Sequence, residues 1–391
     1  MLLIILQIIF WGLIFLAVHS YLIYPVVIFI SSLICKNKII KNSKTEFNLP
    51  SVSILISAFN EEKVIEERIK NISDLNYDFN KIEVLVGSDG SNDKTNEILE
   101  SLREKYDWLK VFLFPEQRGK ASVLNNLFEK SKNKILLFTD ANTEFDKNAL
   151  YLLVKNFNNN IGGVCGRLIL SDNLVPDNES VEEKKYWVYE TFIKNSEGKC
   201  GILIGANGGI FAIKKEFVAK IPIDKPVTDD LYLTLNVLAQ GKKFVYDYDA
   251  IAYEDVGKNV SIEFSRKIRF AATNFQIIPF FKSLLFNKNF LLSYAYWSHK
   301  IIRWFFPVLL VLIFILNLFL FKHSEIYQII FYLQLGFYSF ALIGYLLHKI
   351  KVRIEIFAMP FFFVLSNIAL VIGFIKFLRN RHSIIWESTE R

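Results

Sequence analysis

The 391-residue chain reads as an α/β domain with a mainly parallel sheet, flanked at both ends by transmembrane helices. Three observations carry this reading. From Ser51 onward, short apolar runs alternate with amphipathic helical segments, the pattern of a parallel sheet covered by helices. Long uncharged stretches lie on both sides of that block. Charge is also unevenly placed: of the net +7, residues 1–50 contribute four Lys against one Glu and residues 301–391 nine Lys/Arg against four Glu, leaving −1 for the middle. Positive charge beside hydrophobic segments is a membrane-orientation signal, not a nucleic-acid footprint. A 52% hydrophobic content excludes disorder, and a mean hydropathy of +0.29 with 37 Phe argues against a purely water-soluble protein. Three cysteines (Cys35, Cys165, Cys200) without metal or redox spacing argue for a reducing compartment.

The elements follow in order. Residues 1–35 carry no charged side chain, and their basic cluster (Lys36, Lys38, Lys41, Lys44) comes after the apolar run. A signal peptide has the reverse order, so the segment is expected to be a retained anchor of one helix with the following block in the cytosol. Val52–Phe59, Ile82–Gly87, Val111–Phe114 and Ile135–Thr139 are short and rich in Val, Ile, Leu and Phe, which predicts buried strands. Val64, Ile65, Ile69 and Ile72 show helical spacing, as do Ile98, Leu99 and Leu102, and Leu124, Leu127 and Phe128. The block is expected to span 50–258. Residues 259–300 read as amphipathic interfacial helices, 301–378 as transmembrane helices and 379–391 as a tail. Three uncharged runs lie in that last region: Trp304–Phe321, Ile326–Leu347 and Ile356–Ile375. Three spans after the anchor would leave Lys376, Arg379 and Arg381 outside, against the positive-inside rule. One run is therefore re-entrant or interfacial, with Pro360 marking the last as suspect, or residues 1–35 form two short spans. No run holds an internal ionisable residue for a relay, so a transporter is the least supported class.

In a parallel sheet the ligand site lies beyond the carboxyl ends of the strands. Those ends carry Ala58-Phe59-Asn60-Glu61, Ser88-Asp89-Gly90-Ser91-Asn92-Asp93 and Thr139-Asp140-Ala141-Asn142. Helix capping explains Asn60 and Asp93 well enough. Asp89 and Asp140 directly follow apolar strands, where a carboxylate is costly unless a donor, ligand or metal meets it.

Taken in order, these motifs resemble the membrane-bound inverting glycosyltransferases of family 2, with a GT-A nucleotide-sugar domain, and are similar to poly-N-acetylglucosamine, hyaluronan and cellulose synthases. The resemblance covers about residues 50–275. It implies that Ala58, Asn60, Glu61, Asp89, Lys120 (in Arg118-Gly119-Lys120) and Asp140 bind the nucleotide sugar. It implies that Asp140 and Asn142 stand at an Asp-x-Asp metal motif, holding Mg²⁺ or Mn²⁺ that offsets the charge of the leaving diphosphate. Asn142 brings an amide oxygen where the motif has a carboxylate. Gly205-Ala206-Asn207-Gly208-Gly209 resembles the acceptor loop, with Asn207 and Gly208 beside the acceptor. Thr228-Asp229-Asp230 matches the catalytic signature, with Asp230 as base and Asp229 beside it. Leu231, Leu235 and Leu238 mark a helix starting there, Thr228 is its expected N-cap, and the helix dipole is expected to favour ionised Asp230. Arg266-Lys267-Ile268-Arg269-Phe270 replaces the Gln-x-x-Arg-Trp of processive members; Arg269 is expected at the diphosphate and Phe270 at the acceptor. Trp386, Thr389 and Arg391 resemble a C-terminal motif.

The implied activity is transfer from a nucleotide sugar, expected to be a UDP-sugar, to a hydroxyl of a growing polysaccharide or glycan, at the plasma membrane, with the lipid bilayer as partner and no nucleic acid. The rivals are transfer of a single sugar to a lipid-linked acceptor, and a membrane-anchored sugar-nucleotide binding protein on a disabled scaffold.

Overall fold

A computed structural model describes residues 1–39, 49–171, 181–255 and 260–379. The tail motif at Trp386, Thr389 and Arg391 lies outside the described residues, as do Lys41 and Lys44.

The central sheet has eight strands: β1 Val52–Ala58, β2 Ile82–Asp89, β3 Leu109–Phe114, β4 Ile135–Asp140, β5 Glu144–Phe145, β6 Ile161–Ser171, β7 Phe211–Lys214 and β8 Lys243–Asp255. Their order is β3-β2-β1-β4-β7-β6-β8-β5. β1 pairs in parallel with β2 and β4, β2 with β3, and β6 with β8; β7 runs antiparallel to β4 and β6, and β5 to β8. The sheet is thus mixed, with a parallel half built from the four strands the hydrophobic runs predict. Chain order reverses at β1, whose neighbours are β2 on one side and β4 on the other. That reversal opens a crevice at the carboxyl ends. Register aligns those ends: Ala58 sits opposite Ser88, and Ser57 opposite Asp140.

All seven residues of β1 and all eight of β2 are buried, because helices cover both faces. One layer packs Ile54, Ile56 and Val84 against Ile65, Ile69, Ile72 and Leu99. The opposite layer packs Leu55, Leu85 and Phe138 with Leu124, Leu127, Leu231 and Leu235. It extends to Phe275, Tyr296 and Trp304, and to Tyr24 and Ile28 of the N-terminal helix. The sheet domain and the apolar helices therefore share one packed interior.

Among the described residues three helices are long and apolar enough to cross a membrane: Leu2–Cys35, Glu325–Lys349 and Glu355–Leu378. A fourth apolar unit is the pair Phe290–Trp304 and Phe306–Leu320, bent by 66°. The interruption in the C-terminal region thus falls at Phe305, whereas Pro360 lies inside a continuous helix, in its second turn, where it leaves the Ile356 carbonyl without its i→i+4 amide donor. Residues 1–35 form one helix path with a π-type turn at His19–Ile23. The helix Val260–Ile277 crosses Glu355–Leu378 closely: a Cβ on Gly373 would come within 2.4 Å of Ala271 Cβ and 2.8 Å of the Ile268 carbonyl oxygen.

Candidate active site

The β1 and β2 turns are stitched to each other. Asn60 adopts φ 55°, a left-handed conformation that Asn tolerates better than most residues. Its amide donates to Ser91 Oγ (3.1 Å) and its Oδ1 accepts from the Asn92 amide (2.9 Å). Neither Asn60 nor Asp93 takes the expected N-cap position: the N-cap of the helix Thr95–Lys105 is Lys94, and Asp93, one residue earlier, accepts the Thr95 amide on Oδ1 (2.9 Å). Ala58 is buried at the end of β1, and Glu61 is buried with its amide on Thr95 Oγ1 (2.8 Å).

Asp89 is wholly buried, and its carboxylate is compensated by two backbone donors. The amides of Arg118 and Gly119 both stand 2.8 Å from it, one on each oxygen. Gly119, at φ 87°, turns the chain into the helix Lys120–Lys130. Asp89 thereby fixes where Lys120 enters the rim. Lys120 Nζ then bridges Asp140 Oδ1 (2.8 Å) and Asp229 Oδ2 (3.0 Å). Burial alone would depress the Lys120 pKa, but the two carboxylates outweigh it and hold it above the ordinary lysine range.

Asp140 and Asp230 meet over Gly208. A Cβ on Gly208 would lie 3.4 Å from Asp230 Oδ2 and 3.7 Å from Asp140 Oδ2, so the sum of these distances caps the separation of the two oxygens. Residues from β4, the 205–209 loop and the helix Asp229–Ala239 thus converge on one rim. Asp230 Oδ1 accepts from the Leu231 amide at 2.6 Å. The expectation that the helix start keeps Asp230 readily ionised is corrected here. Burial is the largest effect and Asp229 adds like-charge repulsion, which together raise the Asp230 pKa to about 6 against the pull of Lys194, Lys120 and the Leu231 amide.

Thr228 stands at the N-cap position without a side-chain cap bond. Its hydroxyl pairs instead with Thr273 Oγ1 at 2.7 Å. Thr273 Oγ1 in turn donates to the carbonyl oxygen of Arg269 (3.2 Å), one turn earlier on the same helix. The segment carrying Arg269 and Phe270 is thereby fastened two residues before Asp230. Arg269 is half-buried, Phe270 is exposed, and the Arg269 guanidinium lies 5.6 Å from the Phe270 ring. Arg266 and Lys267 are turned toward Glu183 at 3.4 and 3.0 Å.

Asn207 is more deeply committed than the resemblance implies. Its amide donates to Cys165 Sγ (3.1 Å), its Nδ2 to the Gly166 carbonyl (2.8 Å), and its Oδ1 accepts from Lys194 Nζ (2.6 Å). The side chain holds the loop in place and leaves the rim to Gly208. Asn142 is half-buried and donates to Glu254 Oε1 at 3.1 Å. Among the described residues no cluster of three or more His, Cys, Asp or Glu makes a complete metal cage.

Arg68 and Lys194 were not singled out by sequence reasoning. Arg68 is buried, with Nη2 on Thr139 Oγ1 (2.9 Å) and its guanidinium over Phe145 (4.2 Å). Burial lowers its pKa to about 9, with Asp140 and Glu144 pulling the other way. A signal existed: residues 65, 68, 69 and 72 form one helical stripe, and a charge on an apolar stripe asks for a partner.

A family model described as glycosyl transferase family 2 matches residues 53–221, the segment that runs from β1 through the acceptor loop. The chain carries a glycosyltransferase family 2 domain. It is 27% identical over 292 residues to the probable glycosyltransferase YdaM of Bacillus subtilis, covering 71% of this chain and 69% of that one. It is 26% identical over 283 residues to a poly-beta-1,6-N-acetyl-D-glucosamine synthase of Staphylococcus aureus, covering 69% and 67%. The solved structure of the mannosyltransferase PcManGT from Pyrobaculum calidifontis, in complex with GDP-Man and Mn²⁺, superposes with a TM-score of 0.71 at 18% identity, covering 96% of this chain and all of that one. The fold is GT-A, with a helical C-terminal region holding candidate membrane helices, and the glycosyltransferase domain makes the protein an enzyme of that class.

Proposed function

We propose that the protein is a multi-pass enzyme of the cytoplasmic membrane, with its catalytic domain in the cytosol, that transfers a sugar with inversion from a nucleotide sugar to a hydroxyl of a growing polysaccharide or glycan. The observation that carries this reading is the meeting of Asp140 and Asp230 over Gly208, with Lys120 bridging Asp140 and Asp229. The donor lies across the carboxyl ends of β1, β2 and β4. Asp89 acts on it through the Arg118–Gly119 backbone, and Lys120 and Arg269 face its diphosphate. Asn60 and Glu61 form the opposite wall of the nucleotide site.

Asp230 Oδ2 takes the proton of the acceptor hydroxyl as its oxygen bonds to the anomeric carbon. The bond from that carbon to the diphosphate oxygen breaks, and the electron pair leaves with the diphosphate. Gly208 leaves the acceptor room to approach, and Phe270 offers a ring for a sugar face. The oxygen donors present suit a hard divalent cation: Asp140, Asp229 and Asp230 bring three carboxylates, met by Lys120 and, at longer range, by Lys194 and Arg68, and Asn142 adds an amide oxygen. Asp140 and Asn142 would hold such a Mg²⁺ or Mn²⁺, which would supply positive charge to offset that of the diphosphate leaving group.

The direct test offers the purified full chain a panel of labelled nucleotide sugars, UDP-sugars first and GDP-mannose among them, and sizes the products. Long chains are the expected result. A single added sugar favours the rival in which one residue is moved to a lipid-linked acceptor, and a donor that binds without turnover favours a disabled scaffold.

A further inference from the structure

The acidic rim has a basic counterpart behind the acceptor loop. The helix Val181–Cys200, the π-type turn Tyr296–Ile301 and the short helix Ile302–Trp304 that follows it bring Glu190, Lys194, Glu197, His299, Lys300 and Arg303 into one cluster. Its carboxylates are spoken for. Glu190 accepts from Arg303 Nη1 (2.6 Å) and pairs with His299 Nε2 (2.9 Å). Glu197 pairs with His299 Nδ1 (2.6 Å), accepts from the Tyr24 hydroxyl (2.5 Å), and takes the Ile204 amide on its other oxygen (3.0 Å). Behind the loop two carboxylates therefore stand against Arg303, Lys194 and Lys300, an excess of one positive charge with His299 neutral, and Asp230 across the loop is a further carboxylate that feels the charge of Lys194.

The two lysines carry that excess toward the acceptor loop. Lys194 Nζ reaches Asn207 Oδ1 (2.6 Å) and the Ala206 carbonyl (3.5 Å). Lys300 Nζ comes within 3.7 Å of where a Cβ on Gly205 would stand, and Gly205, at φ 92°, has none. Among the described residues neither lysine has a carboxylate at ion-pair distance, although Lys300 feels both the repulsion of Lys194 and the more distant attraction of Glu190 and Glu197. Two half-buried ammonium groups directed at the same three-residue stretch of loop are costly unless an anion joins them. The reaction as derived brings neither to the substrate; Lys194 acts there only through Asn207 and on Asp230.

We propose that Lys194 and Lys300 form an anion subsite on the acceptor side of the cleft, built for a phosphate group carried either by the acceptor or by a membrane lipid headgroup. This rests on the transferase reading for the words "acceptor side", while the binding of phosphate does not depend on it. Like-charged lysines with spare donors suit a tetrahedral phosphate, which accepts several charge-assisted hydrogen bonds at once.

The test uses the full chain in phosphatidylcholine nanodiscs, with the nucleotide sugar found active and two acceptors, dodecyl glucoside and its 6-phosphate. An acceptor-borne phosphate lowers the acceptor KM about tenfold or more, and Lys300→Gln removes that advantage while Lys300→Arg keeps most of it. If both acceptors behave alike but phosphatidylglycerol in the nanodisc raises the rate in the parent and not in Lys300→Gln, the phosphate belongs to the lipid. If neither phosphate has an effect that Lys300→Gln alters, the subsite is overturned. An unchanged nucleotide Kd in Lys300→Gln shows that the variant is folded. Calorimetric binding of dodecyl phosphate, weakened about tenfold in Lys300→Gln, needs no turnover. A parent protein that turns over no sugar nucleotide sinks the transferase reading, and this binding experiment still decides the subsite.

Discussion

Asp230 is the residue on which the chemistry turns, and its surroundings set a pH limit. With its pKa raised to about 6 by burial and by Asp229, the group is protonated below that value and cannot accept a proton. The acid limb of kcat/KM is therefore expected near pH 6, with activity lost as pH falls. Asp229→Asn removes the like charge and shifts the limb to lower pH; a limb that stays in place or moves up rejects Asp229 as the partner. Asp230→Asn should lower kcat by about three orders of magnitude or more while the nucleotide Kd stays within a factor of a few. Normal transfer by this variant would remove Asp230 from the role of base. At Gly208, Ala would put a methyl group 3.4 Å from Asp230 Oδ2, in the space reserved for the acceptor, so Gly208→Ala should raise the acceptor KM more than the donor KM. How far these residues can be read from the sequence varies with the kind of contact each makes. Asp89, Asp140 and Asp230 are visible because a carboxylate after an apolar strand or at a helix start demands a reason. The elevated pKa of Asp230 is not visible, since it is the balance of burial and Asp229, which raise it, against Lys194, which lowers it from 36 residues away in the chain.

At the scale of elements, the helix Asp229–Ala239 is held from two sides. Thr234 Oγ1 donates to the Asp230 carbonyl (2.6 Å) and accepts from the Ala206 amide (3.1 Å), which links it to the acceptor loop. Thr228 ties its start to Thr273 on the helix Val260–Ile277. Losing one partner of such a hydroxyl pair costs about 1 kcal/mol. Thr273→Val should therefore cost little stability but move the Arg269 segment relative to Asp230, lowering kcat with the donor Kd nearly unchanged; a kcat equal to the parent's would show that the two helices are not coupled in function. The crossing at Gly373 is a second element-level test. Gly373→Leu would drive a side chain into Ala271 Cβ and the Ile268 carbonyl, forcing apart the helices Val260–Ile277 and Glu355–Leu378. The expected outcome is a lower melting temperature together with lower activity. The four parallel strands and their helices are legible because their apolar periodicities differ. β7, which makes the sheet mixed, is four residues long and inserts between β4 and β6, a placement decided by tertiary pairing and not by local pattern.

Across the whole molecule, the acidic rim and the apolar helices belong to one body, since Tyr24 and Ile28 pack with Leu231 and Phe211 in one core cluster. A soluble fragment cut at residue 50 would expose that cluster, and it is expected to aggregate or lose nucleotide binding. A monomeric fragment binding UDP normally would show that the N-terminal helix is a mere tether. Chelation with EDTA should abolish transfer by the intact protein, with recovery on adding Mg²⁺ or Mn²⁺; full activity in chelator would reject a cation at Asp140 and Asn142. The amphipathic reading of the 259–300 region foreshadows the helix Val260–Ile277, and the 66° break at Phe305 falls between Arg303 and Pro307, a proline at the start of the helix Phe306–Leu320 that the sequence reading did not use.

The N-terminal helix path also fixes a height. At 1.5 Å per residue, Leu2–Cys35 extends on the order of 50 Å, well beyond the roughly 30 Å of a hydrocarbon layer. Its surplus is clamped in the catalytic interior by Tyr24, whose hydroxyl bonds Glu197, itself bound to the Ile204 amide just before the acceptor loop. The helix therefore works as a strut rather than a leash: a vertical displacement of the lipid-embedded portion, as in a thicker bilayer, would be felt mechanically at the loop where Gly208 waits.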